Sequence, residues 1–173
     1  MNTLENDHES LGPLLDDCER ALTANDPAQA FTSVDLFWAR LAMHIRAEHL
    51  CLFPALLNVS EDQFIAGGAP SHEQCRDALA MLRDDHNFFM DSLAHAIKLL
   101  REAPANPAPT NAELFKSVHK LITAVRTRLE AHNQIEEEQV YRWPSQLLDN
   151  SELAALNECM KRELENLPSR FRE

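Results

Sequence analysis

Four histidines and two glutamates stand out in this chain because their types and spacing suit metal ligation: His8, His44 followed by Glu48, His86, and His132 followed by Glu136. A separation of four residues puts both members of each His-x-x-x-Glu pair on one face of a helix. Imidazole and carboxylate are the donors that borderline divalent metals accept. A mixed nitrogen and oxygen set favours iron, with manganese or zinc as alternatives. Six donors exceed what one ion takes beside a solvent ligand, so the set predicts two ions, and the carboxylates can bridge them. Two histidines per ion leave coordination positions open, and an open position means reactivity toward a small ligand rather than a purely structural role.

Those residues need long helices to bring them together, and the sequence supplies the pattern. Only three glycines punctuate the chain, and apolar residues recur at three- and four-residue steps, which points to an all-α fold. A first helix is expected from about Ser10 to Ala24, with Leu11, Leu14, Leu15, Cys18 and Leu22 on its inner side and Pro13 tolerated in its first turn. A second opens with Asp26 as N-cap and Pro27 as first residue and runs to about Leu57. Its stripe of Phe31, Val34, Phe37 or Trp38, Leu41, His44, Glu48, Cys51 or Leu52, and Ala55 faces inward. After a link from Asn58 to Pro70, Ser71 and Gln74 form a capping box that starts the third helix, whose stripe is Cys75, Leu79, Leu82, His86, Phe89, Leu93, Ile97 and Leu100. The segment APANPAP ends it, because repeated prolines forbid its continuation. Thr110 with Glu113 forms a second capping box. The fourth helix runs to about Trp143, before Pro144, with Leu114, Val118, Leu121, Val125, Leu129, His132, Glu136 and Val140 inward.

A shorter amphipathic helix at about 150–167 carries Leu153, Leu156, Met160, Leu164 and Leu167. The expected architecture is an up-down-up-down four-helix bundle over about 7–143 with that short additional C-terminal helix, all within a single domain spanning 1–173. The core of such a bundle is a natural place for a metal site built from facing helices.

The chain also repeats itself. The dipeptide DH occurs at Asp7-His8 and Asp85-His86, and each is followed one helix later by a His-x-x-x-Glu and an apolar-aromatic pair, HIRAEHLCLF against HNQIEEEQVY. The two halves are expected to be related by a rough two-fold through the core, as a two-metal site wants. Helical phase selects Glu136 over Glu137 and Glu138 as the partner of His132. The latter two are expected to be solvated or to steady a ligand. His49, His72, His95 and His119 fall off the inner stripes and are expected at the surface or rim, and Trp38 and Trp143 in packing.

This set of motifs resembles the hemerythrin-like family, often called the HHE cation-binding domain, over about Asp7 to Trp143. The resemblance implies a four-helix bundle around a non-haem di-iron centre bridged by two carboxylates and an oxo or hydroxo group, with His8, His44, Glu48, His86, His132 and Glu136 as metal ligands. Oxygen-carrying hemerythrins have His-x-x-x-His on the third helix, whereas the residue four after His86 is Met90. The four-histidine pattern resembles bacterial members linked to nitric-oxide and oxidative stress, including di-iron proteins implicated in iron–sulfur cluster repair.

Composition narrows the partners. The 16 basic and 28 acidic residues give a net charge of −12, which repels nucleic-acid phosphates and anionic lipid surfaces. The start MNTLENDHES has neither a basic nor an apolar leader region, so a cytoplasmic location is expected. Cys18, Cys51, Cys75 and Cys159 show no metal or redox spacing and are expected to be reduced. The expected function is to bind or react with oxygen, nitric oxide or peroxide, in sensing, stress response or iron handling. The alternatives are a di-iron peroxidase or oxidase, or a redox-silent zinc or structural site.

Overall fold

The computed structural model describes residues 2–67, 70–103 and 111–171, and every regular element among them is helical. In chain order the elements are α1 (Asn2–Thr23), α2 (Pro27–Ala47), α3 (Phe53–Leu57), α4 (Glu61–Gly67), α5 (His72–Glu102), α6 (Asn111–Glu138), α7 (Trp143–Leu147) and α8 (Asn150–Leu164). A π-helical turn, Glu48–Leu52, joins α2 to α3, and a 3-10 turn, Val140–Arg142, joins α6 to α7. The four long helices close a ring, with α1 against α2 and α6, and α5 against α6 and α2. No helix among the described residues is long and apolar enough to cross a membrane.

The starts of these helices follow local chemistry. Asp26 caps α2 by accepting from the Gln29 N–H, with Pro27 in the first turn where its missing donor costs nothing. Ser71 and Gln74 form the expected capping box at the head of α5. Asp149 and Glu152 form another at the head of α8, which ends at Leu164 rather than Leu167. The Thr110–Glu113 box and the APANPAP turn involve positions outside the described residues.

The core is two apolar clusters with a polar layer between them. One gathers Leu11, Leu15, Leu41, Ile45, Phe89 and Leu129, and the other Leu4, Ala47, Leu52, Leu82 and Val140. On each long helix the histidine lies in sequence between members of the two clusters: His8 between Leu4 and Leu11, His44 between Leu41 and Ala47, His86 between Leu82 and Phe89, His132 between Leu129 and Val140. Apolar packing above and below fixes the level of the polar layer and keeps bulk water from it.

Several boundaries differ from expectation. α1 begins at Asn2, well before Ser10, so His8 is a helical residue and Pro13 sits inside the helix with its ring on the exposed side. Burial of Leu4 and Leu11 before Pro13 and of Leu15 after it holds the helix through the proline. The second helix is not uniform to Leu57, because the π turn interrupts it directly at Glu48. The link before α5 contains α4, anchored by the buried Phe64. Regular α-structure in α6 ends at Glu138, and Pro144 lies in the first turn of α7 instead of terminating α6.

The cysteines also depart from expectation. Cys51 in the π turn and Cys159 in α8 form a disulfide, while Cys18 and Cys75 are free and buried. Neither CxxC spacing nor local pattern marks the pair, because its members lie 108 residues apart and meet only when α8 packs beside the π turn.

Candidate metal centre

Each of the four long helices delivers one histidine to the polar layer, and α2 and α6 continue to Glu48 and Glu136, one turn further on the same face. His44 and Glu48 stand 3.6 Å apart, His132 and Glu136 3.1 Å. All six side chains are buried, and the two glutamates have no exposed surface, 0% each.

The rings are oriented from behind. His44 Nδ1 lies 3.0 Å from Asp7 Oδ2, and His132 Nδ1 lies 3.0 Å from Asp85 Oδ2. Those aspartates are held in turn by Arg40, which donates to Asp7 at 2.8 Å, and by Arg128, which donates to Asp85 at 2.5 Å. His8 Nδ1 lies 2.8 Å from Glu137 Oε1, and His86 Nδ1 lies 2.8 Å from His49 Nε2. Ionised carboxylates only accept, so Nδ1 of His8, His44 and His132 carries a hydrogen and Nε2 is turned to the interior. Metal-binding histidines are typically fixed in this way.

The interior-facing atoms converge. His8 and His44 bring their Nε2 atoms to 3.0 Å, and His86 and His132 bring theirs to 3.1 Å. Glu136 spans both pairs, with Oε2 3.3 Å from His8 Nε2 and Oε1 3.1 Å from His132 Nε2. Glu48 spans them too, through Oε1 toward His44 and Oε2 at 3.2 Å from His86 Nε2. Glu48 Oε2 and Glu136 Oε1 are nevertheless buried without a hydrogen-bond partner among the described residues. An orphaned buried carboxylate oxygen is costly, and a cation among these donors would satisfy it.

The field confirms the attraction for positive charge. Burial by itself depresses the His44 pKa, yet the Glu48 carboxylate and the bond to Asp7 outweigh it and push the value up to about 10. Burial likewise opposes His132, which the Glu136 and Glu48 carboxylates and Asp85 raise. Burial raises Glu48, but His44 and His86 bring it well below the usual carboxylate range. The same forces that draw protons to these rings would hold metal ions.

Two donor groups on one bundle layer, one of four residues and one of three, joined through Glu136, are what the six sequence-selected residues build. The family comparison agrees: the model of the Hemerythrin HHE cation binding domain matches residues 1–144. The chain belongs to the hemerythrin HHE cation-binding family. No curated protein and no solved structure matches it. Within this hemerythrin-family chain, the donor atoms fall into two sets, Glu48, His86, His132 and Glu136, and His8, His44 and Glu136. The residues present therefore fit a metal centre.

Other residues of the centre escaped the sequence reading. Asp7, Asp85, Arg40 and Arg128 lay within the repeat, which extends to RLAMH against RLEAH, the arginine one turn before each histidine of α2 and α6. His49, expected at the surface or rim, is half-buried and supports His86. Of the two glutamates expected to be solvated or to steady a ligand, Glu137 supports His8, whereas Glu138 is exposed and accepts from Gln134. Tyr141 places its hydroxyl 2.7 Å from Glu48 Oε1 and 3.0 Å from Glu136 Oε2, positioned to donate to either. Burial and those two carboxylates hold its pKa well above the ordinary phenol value in the metal-free chain. His72, His95 and His119 stand apart from the centre, with His95 and His119 exposed.

Proposed function

We propose that this chain is a single-domain, non-haem di-iron protein that binds or reacts with a small ligand such as oxygen, nitric oxide or peroxide, in sensing, stress response or iron handling. The observation that carries the reading is the pair of buried histidine pairs spanned by two carboxylates whose oxygens are partly orphaned. His8 and His44 would hold one ion, His86 and His132 the other, and Glu48 and Glu136 would bridge them. The alternation of the two apolar clusters along successive long helices supports an up-down-up-down four-helix arrangement.

Two iron ions would supply one-electron redox capacity and open coordination positions at the centre. The chain's own residues do the rest. Asp7 and Asp85 hold the His44 and His132 rings in one tautomer, the apolar clusters exclude water, and the Tyr141 hydroxyl keeps a proton within the ligand layer.

The test is spectroscopic: the fully reduced iron-loaded protein is exposed in turn to oxygen, nitric oxide and hydrogen peroxide. A stable, reversible optical change with at least one of them supports the reading. Sustained multiple turnover of ligand would assign an oxidase or peroxidase instead, and a protein that loads only zinc and responds to none of the three would refute it.

A further inference from the structure

The internal two-fold exchanges α1 with α5 and α2 with α6, and most of the centre obeys it. Asp7 corresponds to Asp85, His8 to His86, Arg40 to Arg128, His44 to His132 and Glu48 to Glu136, with matching contacts. The symmetry breaks at two residues beside the donors. Behind His8 stands the carboxylate of Glu137, whereas behind His86 stands the ring of His49. Above His8 stands the phenol of Tyr141, whereas His86 stacks against Phe53, the residue that occupies the same place in the repeat, with ring centroids 5.9 Å apart. Both breaks enrich the same side.

Donor geometry gives the difference a meaning. The Tyr141 oxygen is 3.2 Å from His8 Nε2, 3.3 Å from His44 Nε2, 3.0 Å from Glu136 Oε2 and 2.7 Å from Glu48 Oε1. Metal–donor bonds of about 2.1 Å at right angles set neighbouring donors about 3.0 Å apart. The hydroxyl therefore stands from the other four atoms as a fifth vertex of one coordination shell would. The His86/His132 side has His86 Nε2, His132 Nε2, Glu48 Oε2 and Glu136 Oε1, and both orphaned carboxylate oxygens are on that side. Phe53 offers no donor atom there.

We infer that Tyr141 is a fifth protein donor to the metal position of His8 and His44, which makes the two positions inequivalent and leaves the open coordination with the ion of His86 and His132. On loading, the phenol O–H bond breaks, the oxygen keeps the electron pair for the ion, and the proton leaves to solvent. Glu137 acts in the same direction, because a carboxylate behind His8 raises the ring's basicity more than a neutral imidazole does behind His86.

The inference rests on the two-ion reading, and two measurements on the full chain separate their failures. The first is calorimetric titration of metal-free protein with Zn²⁺, in the wild type and in Tyr141→Phe, which removes only the hydroxyl. The second is resonance Raman spectroscopy of the ferric protein. The wild type is expected to take two Zn²⁺ ions in resolved steps, and Tyr141→Phe to weaken the tighter step by about tenfold or more while leaving the other unchanged. The ferric wild type is expected to show tyrosine ring modes enhanced through a phenolate-to-iron charge-transfer band, and Tyr141→Phe to lose them. Uptake of fewer than two ions by the wild type would refute the two-ion reading. Uptake of two ions with equal steps in both proteins, or a ferric wild type without tyrosine modes, would overturn the role of Tyr141 alone.

Discussion

Exchanging Glu136 for glutamine should be nearly neutral without metal and strongly destabilising with it. Glu136 is fully buried, reaches His8 at 3.3 Å and His132 at 3.1 Å, and leaves Oε1 without a hydrogen-bond donor. In metal-free protein the amide keeps the shape and the acceptor for Tyr141 while removing a buried charge. An unsatisfied buried acceptor costs about 1–3 kcal/mol and a lost charged hydrogen bond a comparable amount, so the net change should stay within about 1 kcal/mol. With metal the arithmetic differs. Free ion at about 1,000 times its dissociation constant stabilises the folded state by about 4 kcal/mol, and for a chain of this size each kcal/mol moves Tm by about 2–4 °C. With two ions the wild type should therefore gain roughly 16–32 °C on loading, about 8–16 °C for each ion, and Glu136→Gln should lose most of that gain. The assay is thermal unfolding followed by circular dichroism, with and without metal, paired with elemental analysis of the same samples. A Glu136→Gln variant that keeps two ions and the full thermal gain would refute the bridging role and the helical register assigned to α6.

The remaining predictions concern the groups around the donors and the cysteines. Glu137→Ala should lower metal affinity by about 10–100-fold through loss of support to His8, while Glu138→Ala should leave calorimetric titration unchanged; equal effects would contradict the assignment. Burial pushes the Cys18 thiol up to about 12 and the Cys75 thiol up to about 11, so the reactive thiolate is scarce at lower pH. Iodoacetamide at pH 8 should leave both unmodified in the folded protein and label both after unfolding. Rapid labelling of folded protein, read by mass spectrometry, would refute their burial. Reduction of the Cys51–Cys159 disulfide opens a loop of more than 100 residues and should cost about 2–4 kcal/mol, lowering Tm by about 4–16 °C. An unchanged Tm after verified reduction would contradict it.

The parts of the fold legible in the sequence were those written in periodicity and caps. Asp26-Pro27 and Ser71 with Gln74 begin their helices as expected, and every member of the α5 stripe from Cys75 to Leu100 is buried. His44-x-x-x-Glu48 and His132-x-x-x-Glu136 were legible because each histidine lies in regular α-helix and its glutamate comes no later than the first residue of any change of winding, so the four-residue phase still holds. What lay beyond was not. The π turn begins at Glu48 and the 3-10 turn follows Gln139, so downstream side chains no longer fall where a uniform period of 3.6 residues places them. Tyr141, five residues after Glu136, would lie well off its face in a regular helix, yet the change of winding swings its hydroxyl back to 3.0 Å from that carboxylate. His49 stands at the rim as expected, and only its contact with His86 went unseen. The true start of α1 was hidden because Pro13 resembles a first-turn residue, and its role is outweighed by the burial of Leu4. The disulfide depended on the docking of α8, which no local signal encodes.

Metal content measured on full-length protein purified without added metal tests the central claim most directly. Elemental analysis by inductively coupled plasma mass spectrometry, referred to protein by amino-acid analysis, should find close to two ions per chain, predominantly iron, with both lost in a His44→Ala, His132→Ala double variant that still folds. One ion per chain, or none after loading with ferrous iron under anaerobic conditions, would contradict a dinuclear iron centre at His8, His44, Glu48, His86, His132 and Glu136.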